Sequence, residues 1–206
     1  MTINRNARLV KSYFIKRPFD FLLSVTGLLL SSPLWPIVAL AVFLEDKGPV
    51  FFLQERCGTN GKPFKLIKFR SMVNVPGKQH AIVHIPDDPR VTRSGKILRA
   101  IALDELPSLI NILKGDMSFV GPRAEPFTVD GQNIRTVPGY AQRITLRPGL
   151  TGLLQVYGTR FMTLEEKFKY DIEYINQISF WLDLKLIFLS FWVTFRGRWE
   201  YTGKKL

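Results

Sequence analysis

With 206 residues, 46% hydrophobic and 22% charged, the chain is long enough to bury a core and falls in the size range of one domain, here with a membrane element. The 29 basic residues against 17 acidic ones give a formal net charge of +12. That charge points to anionic partners: nucleic acid, acidic lipid head groups or phosphorylated substrates. The single cysteine, Cys57, excludes an internal disulfide, suits a reducing compartment and reads as a small filler residue.

Phe21 to Leu44 carries no charged residue. At about 1.5 Å per residue a helix of that length reaches across a hydrocarbon core of about 30 Å. It starts late and runs too long for a signal-peptide core, and no small-residue cleavage site follows it, so it is expected to stay in the mature protein. Ser31-Ser32-Pro33-Leu34-Trp35-Pro36 interrupts the run. Each proline removes a backbone donor and crowds the preceding turn, which predicts a break, and the hydroxyls of Ser31 and Ser32 are placed to take up the freed carbonyls. Arg5, Arg8, Lys11, Lys16 and Arg17 precede the run; Lys47, Arg56, Lys62, Lys65, Lys68 and Arg70 follow it. Positive charge prefers the cytoplasmic side, so a helix-break-helix over 12–46 that enters and leaves by one face satisfies both flanks. A proline-kinked bitopic span competes with it, and a buried core helix is a third geometry.

Val50-Phe51-Phe52 and Phe64 to Phe69 flank Gly58-Thr59-Asn60-Gly61, the pattern of a small β-hairpin around an Asn-Gly turn with a basic polar face. Residues 73–95 are punctuated by Pro76-Gly77, Pro86, Asp87-Asp88-Pro89 and Ser94-Gly95, which predicts an extended loop. His80 and His84 lie in it at helical spacing, but nothing around them resembles a zinc motif. From Gly95 to Lys114 apolar residues recur at three- and four-residue steps, as in a helix. Pro107 suits the first turn of a new helix, so Asp104 and Glu105 fall at or near a helix N-terminus, where anions are favoured. On position alone, an N-cap and a first-turn charge explain the pair as well as a reactive site does.

Gly115 to Arg123 and Leu146 to Gly152 are rich in glycine and proline. Arginines held in such turns suit bidentate recognition of phosphate, and each equally suits a structural turn. From Leu164 onward the chain reads as helix, first charged and then aromatic. Trp181, Phe188, Trp192, Phe195 and Trp199 fall on one face. With Arg196, Arg198, Lys204 and Lys205 trailing, that face suits an amphipathic helix in the membrane interface in contact with anionic lipids, rather than one packed into the core.

Taken in order, Lys16-Arg17-Pro18-Phe19-Asp20, Ser32-Pro33, KLIKFRSM from Lys65 to Met72, Leu103-Asp104-Glu105-Leu106-Pro107, LKGDMSFVGPR ending at Arg123 and RPGLTGLLQV beginning at Arg147 resemble the small monotopic polyprenyl-phosphate phosphoglycosyl transferases that initiate bacterial surface glycan assembly. The resemblance covers nearly the whole chain, and the length matches the family's minimal catalytic form. It implies a mixed α/β, mainly helical fold: one phosphoglycosyl transferase domain over 1–206, with a re-entrant membrane helix at 12–46 broken at Ser32-Pro33 and a cytoplasmic catalytic part at 47–206, on the bacterial inner membrane. It further implies transfer of a sugar 1-phosphate from a UDP-sugar to polyprenyl phosphate, with UMP released. Asp104 matches the family's nucleophile, which forms a covalent aspartyl-phosphosugar, and Mg²⁺ beside it is expected to lower the repulsion among anions. Glu105 assists in an unspecified way, and Lys68, Arg99, Arg123 and Arg147 supply positive field for phosphate. Arg123 is followed by Ala124-Glu125-Pro126 where proline commonly comes directly, and Gln155-Val156-Tyr157-Gly158 replaces an asparagine-containing turn, so no sugar preference carries over. A nucleic-acid binder would leave the uncharged segment without purpose, and no nucleic-acid motif is present. A non-catalytic membrane scaffold would leave Asp104-Glu105 without one.

Overall fold

A computed structural model describes residues 3–73, 88–137, 139–159 and 162–196, with side chains described from residue 14 and excluding 134–136. The expectations for His80, His84, Arg198, Trp199, Lys204 and Lys205 lie outside the described residues. The fold is mainly helical, with two small two-stranded sheets.

Helix α1 (Ile3–Ser31) and helix α2 (Leu34–Asp46) meet at Ser32-Pro33 with a bend of 66°. Pro33 has no N–H for the carbonyl of Leu29, and the Ser32 hydroxyl donates to that carbonyl at 2.8 Å instead. The next carbonyl left by a proline, that of Ser32, accepts from Trp35 N at 3.2 Å, while the Trp35 indole donates to Ser31 Oγ at 3.1 Å. The expected break and its serine partners are therefore present. Neither helix alone is long and apolar enough to cross a membrane; the bent pair together is, by length and composition.

One face of α1 packs inward, with Asp20 and Ser24 buried and Phe19, Leu23 and Leu28 against the main core. Its other side, with Phe14, Phe21, Leu22, Leu29 and Leu30, is exposed and continues onto Ile37, Leu40 and Leu44 of α2. Not all of the basic N-terminal flank is free to face lipid. Lys16 Nζ lies 2.5 Å from Asp183 Oδ2, Arg17 donates to the carbonyls of Ile112 and Leu113, and Asp20 accepts from Phe119 N. The Lys-Arg-Pro-Phe-Asp motif thus ties α1 to the rest of the protein.

Strands β1 (Phe51–Cys57) and β2 (Pro63–Phe69) form the expected antiparallel hairpin, in register from Phe51 opposite Phe69 to Cys57 opposite Pro63. Asn60 and Gly61 make the turn at positive φ, and Cys57 is buried as filler. The helical stretch expected over 95–114, with a new helix starting at Pro107, is present as two helices, and the first ends earlier than its apolar spacing suggests. Helix α3 (Arg93–Ala100) ends where Ala102 turns left-handed at φ 53°, a 3-10 turn covers Leu103–Glu105, and helix α4 (Ser108–Lys114) starts behind Pro107. The apolar period runs through the break because both helices present apolar residues to one core. The helical region expected from Leu164, charged and then aromatic, divides into two helices at that change of character. Helix α7 (Leu164–Gln177) carries a Thr163/Glu166 capping box, and helix α8 (Phe180–Phe195) is capped anew by Ser179.

The glycine-rich stretches hide elements that local patterning does not display. Strand β3 (Ser118–Val120) pairs in parallel with strand β4 (Gly149–Thr151); helices α5 (Phe127–Thr136) and α6 (Leu153–Tyr157) follow them. The backbones cross so closely that a Cβ on Gly149 would sit 2.1 Å from Gly121 N, and one on Gly121 would sit 2.4 Å from Arg147 O, which excludes side chains at both positions. Ile112, Val120, Val156, Tyr174 and Leu186 centre the main core. Val38 and Val42 of α2 join Phe69 and Leu98 in a second one, so α2 is packed directly on the hairpin and on α3. On α8, Trp181, Phe188, Trp192 and Phe195 are exposed, not packed into the core, and Phe191 joins them.

Candidate active site

The left-handed Ala102 reverses the chain after α3 and turns Asp104 inward, where only 8% of its surface is exposed. Asp104 is not the cap of α4: that position belongs to Pro107, and no side-chain capping bond is present. Burial pushes the Asp104 carboxyl up to about 6, against the pull of Lys68 and Arg99, with Glu105 adding to the rise. Glu105 goes the other way. Burial works against its charged form, but Lys68, Arg123 and Arg56 outweigh it and hold this carboxyl below the usual range. The adjacent carboxylates are therefore unequal: one is locked into an ion pair and charged, and the other has no such partner among the described residues and is easier to protonate.

The ion pair joins Glu105 Oε1 to Lys68 Nζ of β2 at 2.5 Å, which gives Lys68 a protein partner in addition to the phosphate role expected for it. Arg99, in the last turn of α3, acts on Asp104, and Arg123, just past β3, acts on Glu105. The structure thus brings Asp104, Glu105, Lys68, Arg99 and Arg123 together. Arg147 is not brought there. Its Nε donates to the carbonyl of Gly115 at 2.9 Å, at the far end of α4 from the acidic pair, and it borders a small cavity with Lys16, Asp20 and Tyr174. The parallel β3–β4 pairing carries the Arg-Pro-Gly turn, and Arg147 with it, to the C-terminal end of α4.

Two residues at or behind the site carried no such signal in the sequence. Arg56 of β1 stood only among the flanking charges, yet its charge acts on Glu105 and it feels that of Arg123. Arg143 lies in a 3-10 segment, Tyr140–Thr145, and is 3% exposed. It bonds Asp171 at 2.9 Å, Asp130 at 2.7 Å and the Arg123 carbonyl at 2.6 Å, so it holds the backbone that carries Arg123. An arginine in a polar stretch gives no hint of burial until its two carboxylates arrive from α5 and α7.

Among the described residues no group of three or more His, Cys, Asp or Glu side chains could hold a metal ion, so no all-protein cage is present. Mg²⁺ needs none, since it typically takes one or two carboxylates and completes its shell with substrate phosphates and water. Asp104 fits that donor set, and Glu105 is already engaged by Lys68. The site can attract phosphate anions through four cations, Lys68, Arg99, Arg123 and Arg56, and can offer them one carboxylate outside the ion pair.

The sequence model of the bacterial sugar transferases matches residues 11–197. The chain is 41% identical over 192 residues to UDP-glucose:undecaprenyl-phosphate glucose-1-phosphate transferase of Escherichia coli (strain K12), covering 91% of this chain and 41% of that protein. To UDP-N-acetylgalactosamine-undecaprenyl-phosphate N-acetylgalactosaminephosphotransferase of Aeromonas hydrophila it is 42% identical, covering 85% and 42%. The exopolysaccharide production protein PSS of Rhizobium leguminosarum bv. phaseoli is 39% identical, with 84% of this chain and 92% of that protein covered. The chain therefore spans about two fifths of the first two relatives and nearly all of the third. With a match from residue 11 to residue 197 and relatives of this identity, the chain belongs to the bacterial sugar transferase family.

Proposed function

We propose that the chain is a phosphoglycosyl transferase that moves a sugar 1-phosphate from a UDP-sugar to undecaprenyl phosphate, releasing UMP, as the first membrane step of a surface glycan. The observation that carries this reading is the unequal carboxylate pair: Asp104, buried and outside the ion pair, beside Glu105 held by Lys68, in a chain about 41% identical to an enzyme named for this reaction. A nucleophile that is not an ion-pair partner keeps its electron pair available for attack. Fixed cations around it lower the repulsion that an anionic phosphate meets on approach and steady the charge that builds up as it reacts.

In the proposed first step an Asp104 carboxylate oxygen attacks the phosphorus that bears the sugar. The bond from that phosphorus to the bridging oxygen breaks, and its electron pair leaves with UMP. In the second, a phosphate oxygen of the lipid attacks the same phosphorus and the acyl-phosphate bond breaks, restoring Asp104 and giving the polyprenyl-diphosphate-sugar. Lys68, Arg99 and Arg123 hold the phosphates, while Glu105 holds Lys68 in place. Asp104 and the phosphate oxygens would hold Mg²⁺, which supplies charge neutralisation when bound. The relatives cited carry different sugars in their names at nearly equal identity, so similarity alone does not choose the donor.

The 66° bend between two apolar helices and the exposed aromatic face of α8 support a monotopic seat on the cytoplasmic face of the inner membrane, with α1 and α2 entering and leaving by that face. There a soluble nucleotide sugar and a lipid phosphate reach the same carboxylate in turn. UMP release from a panel of UDP-sugars with undecaprenyl phosphate and Mg²⁺, with D104N as the comparison, tests the reaction. Turnover with one donor, lost in D104N, is expected. UMP release by D104N at the normal rate would remove Asp104 as nucleophile, and no release with any donor would leave a membrane scaffold.

A further inference from the structure

Arg56 is held by the fold where no carboxylate among the described residues pairs with it. Its Nη1 donates to the carbonyl of Ala124 at 2.7 Å and its Nη2 to Gln54 Oε1 at 2.5 Å, two neutral acceptors. Its Nε is buried with no hydrogen-bond partner among the described residues. A donor that has given up water without gaining an acceptor destabilises the fold and calls for an explanation such as a missing ion.

A second arginine makes the deficit worse. Burial and the neighbouring Arg123 push the Arg56 guanidinium down to about 10, while Glu125, Glu105 and Asp130 act on it only from beyond ion-pairing distance. Among the described residues neither Arg56 nor Arg123 has a carboxylate within ion-pair range, although Lys16, Lys68, Arg70, Arg90 and Arg143 each do. Both members of the pair sit on rigid supports, Arg56 in the hairpin and Arg123 on a backbone gripped by Arg143 at 2.6 Å. Each is half-buried, so each keeps part of its surface open to a ligand. The Arg56 guanidinium bonds the carbonyl of the residue that follows Arg123, and two arginines brought to one stretch of backbone without an ion-pair partner among the described residues form a preorganised receptor for a phosphate group, since each offers forked donors matched to phosphate oxygens.

We propose that Arg56 and Arg123 form a two-guanidinium phosphate site on the Glu105 side of the acidic pair, and that Arg56 is a substrate-binding residue. The inference rests on the proposed transferase reading for the identity of the phosphate, which belongs either to the nucleotide or to the lipid.

The test is binding, measured on the full chain in detergent by the rise in melting temperature on titration with UMP and, separately, with a short-chain prenyl phosphate. R56Q is expected to weaken binding of one of the two ligands tenfold or more, and R56K, which keeps the charge but loses the fork, by a smaller factor. R123Q is expected to weaken the same ligand. Selective loss for UMP assigns the site to the nucleotide phosphate, and selective loss for the prenyl phosphate assigns it to the lipid. Unchanged binding of both by R56Q overturns the proposal, as does wild-type protein that binds neither. If R56Q does not fold, R56K decides: unchanged affinity for both ligands overturns the proposal. UMP release measured on the same wild-type protein is an independent reading. Its absence alongside arginine-dependent binding would defeat the reaction and leave the phosphate site standing.

Discussion

Replacing Asp104 by Asn is expected to stabilise the protein while abolishing its activity. Burial raises the Asp104 carboxyl from 3.8 to about 6. The folded state thus retains a proton that the unfolded chain has lost between those values, and stability falls as pH rises through that window and stays lower above it. A shift of roughly two units corresponds to about 3 kcal/mol at pH 8, and to about half as much at pH 5, where the folded protein is still mostly protonated. The amide retains part of the desolvation cost, so the net gain for D104N is about 1–3 kcal/mol at pH 8. For a chain of this size each kcal/mol moves the melting temperature by about 2–4 °C. Thermal unfolding of the full chain in detergent, with chelator present so that no divalent ion offsets the charge, reads the effect at both pH values. A D104N variant no more stable than wild type at pH 8, or one whose advantage is the same at pH 5 and pH 8, would refute the view that Asp104 is held charged at a cost.

Three further outcomes are expected. G149A places a methyl group 2.1 Å from Gly121 N and 2.3 Å from Thr151 O, which only backbone movement relieves. It should cost about 3 kcal/mol or more by thermal unfolding, whereas G131A, with nothing within 4 Å in helix α5, should be neutral or stabilising by up to about 1 kcal/mol. Serine at Trp181, Phe188 and Phe195 together should leave the unfolding temperature nearly unchanged, since all three are exposed, yet reduce co-flotation with anionic liposomes at least tenfold; unaltered flotation would mean that this face does not meet lipid. Cysteines introduced at positions 8 and 60 should be labelled by an impermeant reagent from the same side of sealed vesicles, and labelling from opposite sides would show that the bent helix pair crosses the membrane.

The sequence by itself determined features governed by neighbours along the chain. Asn60-Gly61 specified the hairpin because positive φ is needed there, Ser32-Pro33 specified the helix break because Pro33 leaves the Leu29 carbonyl to a hydroxyl, and Pro107 placed the acidic pair ahead of a helix start. The family motifs marked Asp104, Glu105, Lys68, Arg99 and Arg123 as one constellation, which the fold assembles. Apolar spacing overran the breaks at Ala102 and Ser179, because residues on either side of a turn serve the same core and keep the same period. Tertiary structure alone decided the rest. Lys68 and Glu105 are 37 residues apart, and only the packing of β2 against the 3-10 turn makes them an ion pair. Arg147 has the turn chemistry of a phosphate ligand, yet the parallel pairing of β3 with β4 sends it to the other end of α4. Arg56 looked like one more flanking charge until the hairpin brought its guanidinium to the carbonyl of Ala124, next in the chain to Arg123, since the field at a side chain depends on what is near in space, and distance along the chain does not report it.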